Sequence, residues 1–242
     1  MIDGAPSPKG SHGFDLREKE APMARRKEKA EATRQAIFDA AMHVVGRHGY
    51  AKASIARIAE EAGVAHGLIY LYFKNQQDLF DQLLPNVGEA MLRYIADATL
   101  GADTVADRER EGLAANFAYL TRHPALHRIL NEAAFFAPQA HQKYLRRMAG
   151  GYTRSLARGH AAGEITGYDE SELEVLAYMV IGAREYLLER YAAHDGEIDD
   201  LPASVKLTYL KVVARGLGID PERMIHGPAK TGAAKAIAAK RG

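Results

Sequence analysis

The sequence predicts an all-α protein of about nine helices, arranged as a three-helix head followed by a larger helical body. Three observations carry that reading. Apolar residues recur at three- and four-residue spacing along nearly the whole chain, as Ile37, Ala41, Val44 and Val45 do. Helix starts and stops are marked by Ser, Thr and Asn caps, by prolines and by glycines. No alternating, β-branched run competes for a strand.

Composition bounds the answer. Of 242 residues, 47% are hydrophobic, enough to build a core rather than a disordered chain. There is no cysteine, which excludes disulfides, thiolate zinc sites and cysteine nucleophiles and fits a reducing compartment. No apolar run reaches the length of a membrane span and no signal-peptide core opens the chain, so a cytoplasmic protein without membrane contact is expected. A net charge of +1 argues against a general polyanion binder. Basic residues nevertheless gather at the ends: Arg25, Arg26, Lys27 and Lys29 near the start, and Lys230, Lys235, Lys240 and Arg241 in an acid-free tail.

Taken in order, residues 1–24 are rich in Gly, Pro, Ser and charge without apolar period, and read as a disordered leader. Met23 within it is a candidate natural start. A helix is expected over Glu28–His48, closed by Gly49. Ser54 caps a short helix to about Glu61, Ala62-Gly63-Val64 breaks it, and a second short helix runs to about Tyr72. Asn75, with Asp78 three positions on, starts a long helix through Leu79, Leu83, Leu84, Val87, Met91 and Ile95. Thr104 with Asp107 caps the next, to about Thr121. Pro124 opens one ending near Phe136, and Pro138 another ending before Gly163. Ser171 with Glu174 is read as the cap of an apolar helix, and Pro202 opens the last, to Gly216. The head is thus bounded at 25–80 and the body at 81–222, with 223–242 a disordered basic tail.

Two short helices joined by a tight glycine turn, after a longer amphipathic one, form the layout of a helix-turn-helix. In such a unit the first short helix braces on the DNA backbone and the second enters the major groove. Ile55, Ile58, Ala59, Ala62, Val64 and Leu68 are expected to lock the helices together, and Phe73 to plug their core. Ala65, His66 and Gly67 open the second helix, within reach of bases and phosphates.

From Ser54 to Asn75 the chain reads Ser-Ile-Ala-Arg-Ile-Ala-Glu-Glu-Ala-Gly-Val-Ala-His-Gly-Leu-Ile-Tyr-Leu-Tyr-Phe-Lys-Asn. With the Ala40-Ala41 pair and Leu79, this closely resembles the head of the TetR (tetracycline-repressor-like) family. The resemblance covers about residues 30 to 80 and implies a dimeric transcriptional regulator on palindromic, double-stranded operator DNA. It implies phosphate contact for Tyr72, and marks Ser54, Ala65, His66, Gly67, Tyr70, Lys74 and Gln76 as the remaining candidate DNA-binding residues. Two positions depart from the family pattern. Ala65 stands where many relatives carry a capping serine, and Gln76 where they usually carry a lysine.

In the body, Phe117, Leu120, Leu130, Phe135, Phe136, Tyr144, Met148, Tyr152 and Met179 are the candidate pocket for a small amphiphilic effector. Val175, Leu176, Gly182 and Leu187 on one helix and Leu207, Leu210 and Val213 on the next are the candidate homodimer interface. His123, His127 and His141 are too loosely spaced for a metal site, and Glu132 and the Arg146–Arg147 pair suit a pocket mouth or a solvated face equally. No cofactor motif, Ser/His/Asp elbow, phosphate loop or HExxH pattern occurs. The expectation is a repressor released by its effector rather than an enzyme. The alternatives are an all-α enzyme, which requires a perturbed acid–base pair in the cavity, and a helical interaction module with a degenerate DNA-binding head.

Overall fold

The computed structural model describes residues 16–227, and of residues 16–24 the backbone alone. Among the described residues there are ten α-helices: α1 (Leu16–His48), α2 (Ile55–Glu61), α3 (His66–Ile69), α4 (Gln76–Ala98), α5 (Val105–Arg122), α6 (Ala125–Phe136), α7 (Pro138–Ala161), α8 (Leu173–Tyr191), α9 (Ala203–Gly216) and α10 (Pro221–His226). The all-α class holds. A two-residue antiparallel pair, β1 (Ala193–His194) and β2 (Glu197–Ile198), bridges α8 and α9 around Asp195 and Gly196, both at positive φ.

The local capping logic is realised almost as read. Ser54 accepts from the Arg57 amide, Asn75 from that of Asp78, and Thr104 from that of Asp107. Asp78 in turn accepts from the backbone N–H of Lys74 rather than from that of the cap, so the expected capping box is shifted by one residue. Gly63 takes φ +65°, the left-handed geometry that the turn between α2 and α3 requires.

Four expectations are corrected. The helix α1 begins at Leu16, so residues 16–24 of the expected leader are helical; helix-forming Arg, Glu, Lys and Ala supply propensity there without an apolar period to reveal it. Residues 1–15 lie outside the described residues. The cap before α8 is Asp169 with Glu172, not Ser171 with Glu174. The helix α10, closed over Met224 at 0% exposure, extends the body past 222; of the expected tail, residues 228–242 lie outside the described residues. Finally, α3 ends at Ile69 and not near Tyr72, and Ile69 at 0% exposure, rather than Leu68, fills the head core.

Head and body share one continuous core. In the head, Ile37, Phe38, Ala41 and Val45 of α1 pack with Ile58, Ile69, Phe73 and Leu79, with Phe38 and Phe73 edge-to-face at 5.2 Å. The long α4 leaves the head and enters the body, with Pro85 inside it. A proline there has no N–H to give the Asp81 carbonyl, a local weak point in the hydrogen-bond ladder.

A second link is α6. Glu132 accepts from the backbone N–H of Tyr50 at 2.7 Å, Arg128 donates to the Gly46 and Arg47 carbonyls at 3.0 Å each, and Gln77 donates to the Phe136 carbonyl at 2.8 Å. Phe136 stacks on Tyr50 at 5.7 Å. Glu132 therefore ties the head to the body and is neither a solvated face nor a pocket mouth.

Candidate DNA-binding head and ligand cavity

At the head, the turn before and the start of α3 are bare. Ala65, His66 and Gly67 are exposed, and Ala65 provides no side-chain cap, leaving amides of that turn without a side-chain partner. A Cβ on Gly67 would meet no protein atom within 4 Å, and its φ is ordinary. Nothing inside the protein therefore calls for glycine at this position. His66 and Tyr70 touch edge-to-face at 5.5 Å, and Tyr70 is half exposed. Tyr72 is half-buried with its ring against the core, the stance that lets a phenol lean on apolar atoms while its hydroxyl faces outward. Lys74 is exposed.

Ser54 is also exposed, but its hydroxyl serves the α2 cap. Gln76 donates to the Ala53 carbonyl at 3.0 Å, fixing the start of α4 against the entry to α2. One of its amide hydrogens thus has an internal partner, and the side chain is otherwise exposed. Leu71, passed over in the sequence, is 78% exposed directly after α3.

In the body, a cavity of about 930 Å³ lies between α4, α5, α6, α7 and α8. Of the expected pocket residues, Leu120, Leu130, Tyr144, Met148 and Tyr152 line it. Phe117, Phe135, Phe136 and Met179 do not. Phe117 is wholly buried in the α5 core, and Phe136 belongs to the head–body joint. Phe135 is 86% exposed because α6 turns Leu126, Ile129 and Ala133 inward, and Met179 is 65% exposed because α8 buries Ala177, Val180 and Leu188 instead.

One side of the cavity is a buried polar cluster that the sequence reading missed except for Tyr152. Glu109 of α5, 3% exposed, accepts from Arg184 of α8 at 2.7 Å, from Tyr209 of α9 at 2.5 Å, and from the Tyr152 hydroxyl of α7. Arg184 also donates to Tyr209 at 2.8 Å and lies over the rings of Tyr152 and Tyr209 at 5.5 and 5.8 Å. Burial opposes ionisation of Glu109, but the Arg184 charge and the three hydrogen bonds outweigh it and hold the carboxyl below its usual range. Burial likewise opposes the charge on Arg184, and Glu109 overcomes it. This is the kind of perturbed pair that an enzyme reading requires. Its carboxylate is already saturated with donors and locked in the ionised form, so it is unsuited to act as a general base. A lone Glu and a lone Arg 75 positions apart carry no sequence pattern; only the fold joins them.

Tyr144 connects this cavity to α4. Its ring packs against Gly88 of α4, where a Cβ would overlap it, and its hydroxyl is buried without a hydrogen-bond partner among the described residues. Burial raises its pKa, so the phenol stays protonated and able to donate.

The proposed interface residues divide. Val175 and Leu207 are exposed, at 60% and 38%, while Leu176 and Leu187 are half-buried against the core. Gly182 lines the cavity, with open space where a Cβ would sit, and Leu210 and Val213 are buried within the protomer. The outward large apolar residues of these two helices are Val175, Tyr178, Met179, Tyr186 and Tyr191 of α8 with Leu207 and Val212 of α9. His127, expected to be solvated or capping, is buried, 3.0 Å from Asn131 and 3.3 Å from Glu185.

A braced helix, a glycine turn and an exposed second helix have the layout of a helix-turn-helix, carried here on an all-α body with a cavity. Residues 37–83 match the family model of bacterial regulatory proteins, tetR family. The chain is 40% identical over 79 residues to the HTH-type transcriptional regulator AcrR of Shigella flexneri, covering 31% of this chain and 37% of that protein. Across the first curated relatives matched, the alignments span between 24% and 39% of their length.

Solved structures extend the likeness to the body as fold. FadR of Bacillus subtilis, in complex with stearoyl-CoA, is 21% identical at TM-score 0.59 over 81% of this chain and 99% of its own. RolR, in complex with resorcinol, is 18% identical at TM-score 0.57 over 85% of this chain and 98% of its own. Among the described residues, no helix is long and apolar enough to cross a membrane.

Proposed function

We propose that the protein is a ligand-responsive transcriptional regulator, a homodimeric repressor that binds a palindromic operator through α3 and releases it when a small molecule fills the body cavity. One observation carries the reading: a single helix, α4, is braced to the exposed helix-turn-helix at its start and walls the cavity from Glu89 to Thr99. His66 at the exposed start of α3 is assigned base contact, and Tyr72 and Lys74 phosphate contact. The exposed apolar stripe of Val175, Met179, Tyr186 and Val212 supports a two-fold pairing of α8 and α9. Glu109 and Arg184 hold the body together rather than performing chemistry.

The geometry also supports a route for release. Two recognition helices fit one palindrome only about 34–36 Å apart, one turn of DNA. An occupant displacing Tyr144 presses on Gly88 and tilts α4 past its Pro85 weak point, while α6 anchors α1. Driving a mostly competent population to a mostly incompetent one requires a preference of about 5.5 kcal/mol for the spread form. Linkage then demands that operator weaken ligand binding by the same factor. The test is mobility retardation of the gene's own upstream DNA by the purified protein, followed by effector affinity measured with and without that DNA. Retarded DNA and a reciprocal loss of affinity support the reading; an unchanged affinity shows a cavity uncoupled from the head.

A further inference from the structure

The cavity wall carries an imbalance of charge that the proposed function does not use. Four carboxylates line it, and each has a cationic or histidine neighbour: Glu89 with Arg147 at 3.0 Å, Glu109 with Arg184 at 2.7 Å, and Glu185 and Glu189 facing His127 at 3.3 and 3.4 Å. Three lining arginines toward the other end of α7, Arg108, Arg154 and Arg158, have no carboxylate partner among the described residues. The nearby acids are engaged elsewhere: Glu164 accepts from the Val105 amide and Asp107 pairs with Arg110.

These arginines are neighbours. Arg154 and Arg158 stand one turn apart on the same face of α7, and Val105, one turn before Arg108, packs onto Gly159. The Arg108 guanidinium donates through one terminal nitrogen to the Ala102 and Asp103 carbonyls at 3.0 and 3.3 Å, while its Nε is buried without a hydrogen-bond partner among the described residues, a cost that a bound acceptor would relieve. The Arg154 guanidinium folds back over Gly150 and Gly151, toward the cavity and the Tyr144 end. Between the arginines and Tyr144 one side of the wall is apolar, made by Met91, Ile95, Leu120 and Met148, and faces the Glu109–Arg184 cluster on the other. The cavity follows α7 from His141 to Arg158, a rise of about 26 Å at 1.5 Å per residue. Its 930 Å³ lies near the top of the roughly 300–1,000 Å³ range of small-molecule sites.

We propose that the occupant is an elongated organic anion, its anionic group held by Arg108, Arg154 and Arg158 and its apolar body lying along α7 to the Tyr144 ring. The assignment rests on the reading of the cavity as the effector site, but its chemistry is testable without DNA. Arginine suits the anionic end because its planar fork can give paired hydrogen bonds to a carboxylate or phosphate. A compact phenol would leave most of this length empty, and an alkyl cation would meet the three arginines head-on.

The experiment is calorimetric titration of the DNA-free, full-length protein with three probes of equal chain and different head: dodecanoate, dodecan-1-ol and dodecyltrimethylammonium. Dodecanoate is expected to bind about tenfold or more tighter than the alcohol, as charge-assisted hydrogen bonds imply. Arg154→Ala and Arg158→Ala, both at exposed positions, should each lose most of that margin for dodecanoate and leave the alcohol unchanged. Equal or tighter binding of the alcohol or the cation overturns the proposal. So does indifference of dodecanoate to both substitutions, or the absence of binding by all three probes. Operator retention in the presence of dodecanoate is read separately. If the arginines hold the anion but operator stays bound, the regulator reading fails and the anion assignment stands.

Discussion

The head and the body solve opposite problems with the same helices. The head buries an all-apolar core of Ile37, Phe38, Ile58, Ile69 and Phe73 and keeps its chemistry outside, where His66, Tyr70 and Lys74 meet solvent. The body places its chemistry inside, around a cavity edged by a buried ion pair. Two glycines make the contrast plain. Gly88 is required by the protein itself, because a Cβ there would overlap Tyr144, whereas Gly67 faces open space. A site turned outward can be read from residues consecutive in sequence. A site turned inward is assembled from residues a hundred positions apart, as Glu109 and Tyr209 are.

The largest expected effect tests the inward half of that contrast. Glu109→Ala should destabilise the protein by about 3–5 kcal/mol, since it strands Arg184 and two tyrosine hydroxyls in the interior. The double change Glu109→Leu with Arg184→Met should recover much of the loss in chemical denaturation, because a buried pair repays little more than its desolvation. The pH dependence has a defined sign. The folded-state pKa of Glu109 is depressed, so its contribution is present above the unfolded value and disappears as pH falls through the folded one. The wild type should therefore lose stability on acidification more steeply than the double variant. Equal slopes would mean that other carboxylates dominate.

Gly88→Ala tests whether the two halves communicate. Forcing the Tyr144 ring aside should cost about 1–3 kcal/mol of stability, the usual range for an overpacked core. Operator affinity should fall with it, as if an effector were present. Gly88→Ala with Tyr144→Leu, which clears the space, is expected to restore binding. Lost stability with unaltered DNA binding would break the proposed link between cavity and head.

His66→Ala tests the outward half. Its side chain is exposed, so stability should hardly change, while specific binding should weaken by about 1–3 kcal/mol relative to random DNA. Fluorescence anisotropy with both DNAs at matched salt separates the two effects. An equal loss on both would move His66 from base reading to phosphate contact.

The smallest expected effect is the most pointed. Gly67→Ala should raise stability by about 0.5–1 kcal/mol, because helix order becomes cheaper and no protein atom lies in the way. It should also weaken operator binding if the bare backbone is there to approach DNA. A variant both more stable and fully competent would show that Gly67 has no role at the DNA surface.

Much of the fold was legible because its signals are local. Ser54, Asn75 and Thr104 cap the helices they precede, Gly63 takes the left-handed turn, and Pro138 and Pro202 open α7 and α9, all through contacts within a few residues. The outward-facing head followed for the same reason, since a run of about twenty residues carries both its helices and its exposed surface. What reached beyond one turn was only partly placed: Leu120, Leu130, Tyr144, Met148 and Tyr152 line the cavity as expected, and others do not. Helical periodicity says that Phe135, Phe136 and Met179 are apolar, but which side of a helix meets a neighbour depends on how that helix is packed. Leu210 and Val213 look equally suited to a partner chain or to their own core, and only packing against the rest of the body assigned them to the core. The Glu109–Arg184–Tyr152–Tyr209 cluster and the cluster of unpaired arginines have no sequence signature at all. The sequence by itself determined most of the helices, the caps of α2, α4 and α5 and the glycine turn between α2 and α3, because backbone capping and turn geometry act between near neighbours. The tertiary structure alone decided the cavity, its charge and its contact with α4, because those arise where side chains from five helices meet.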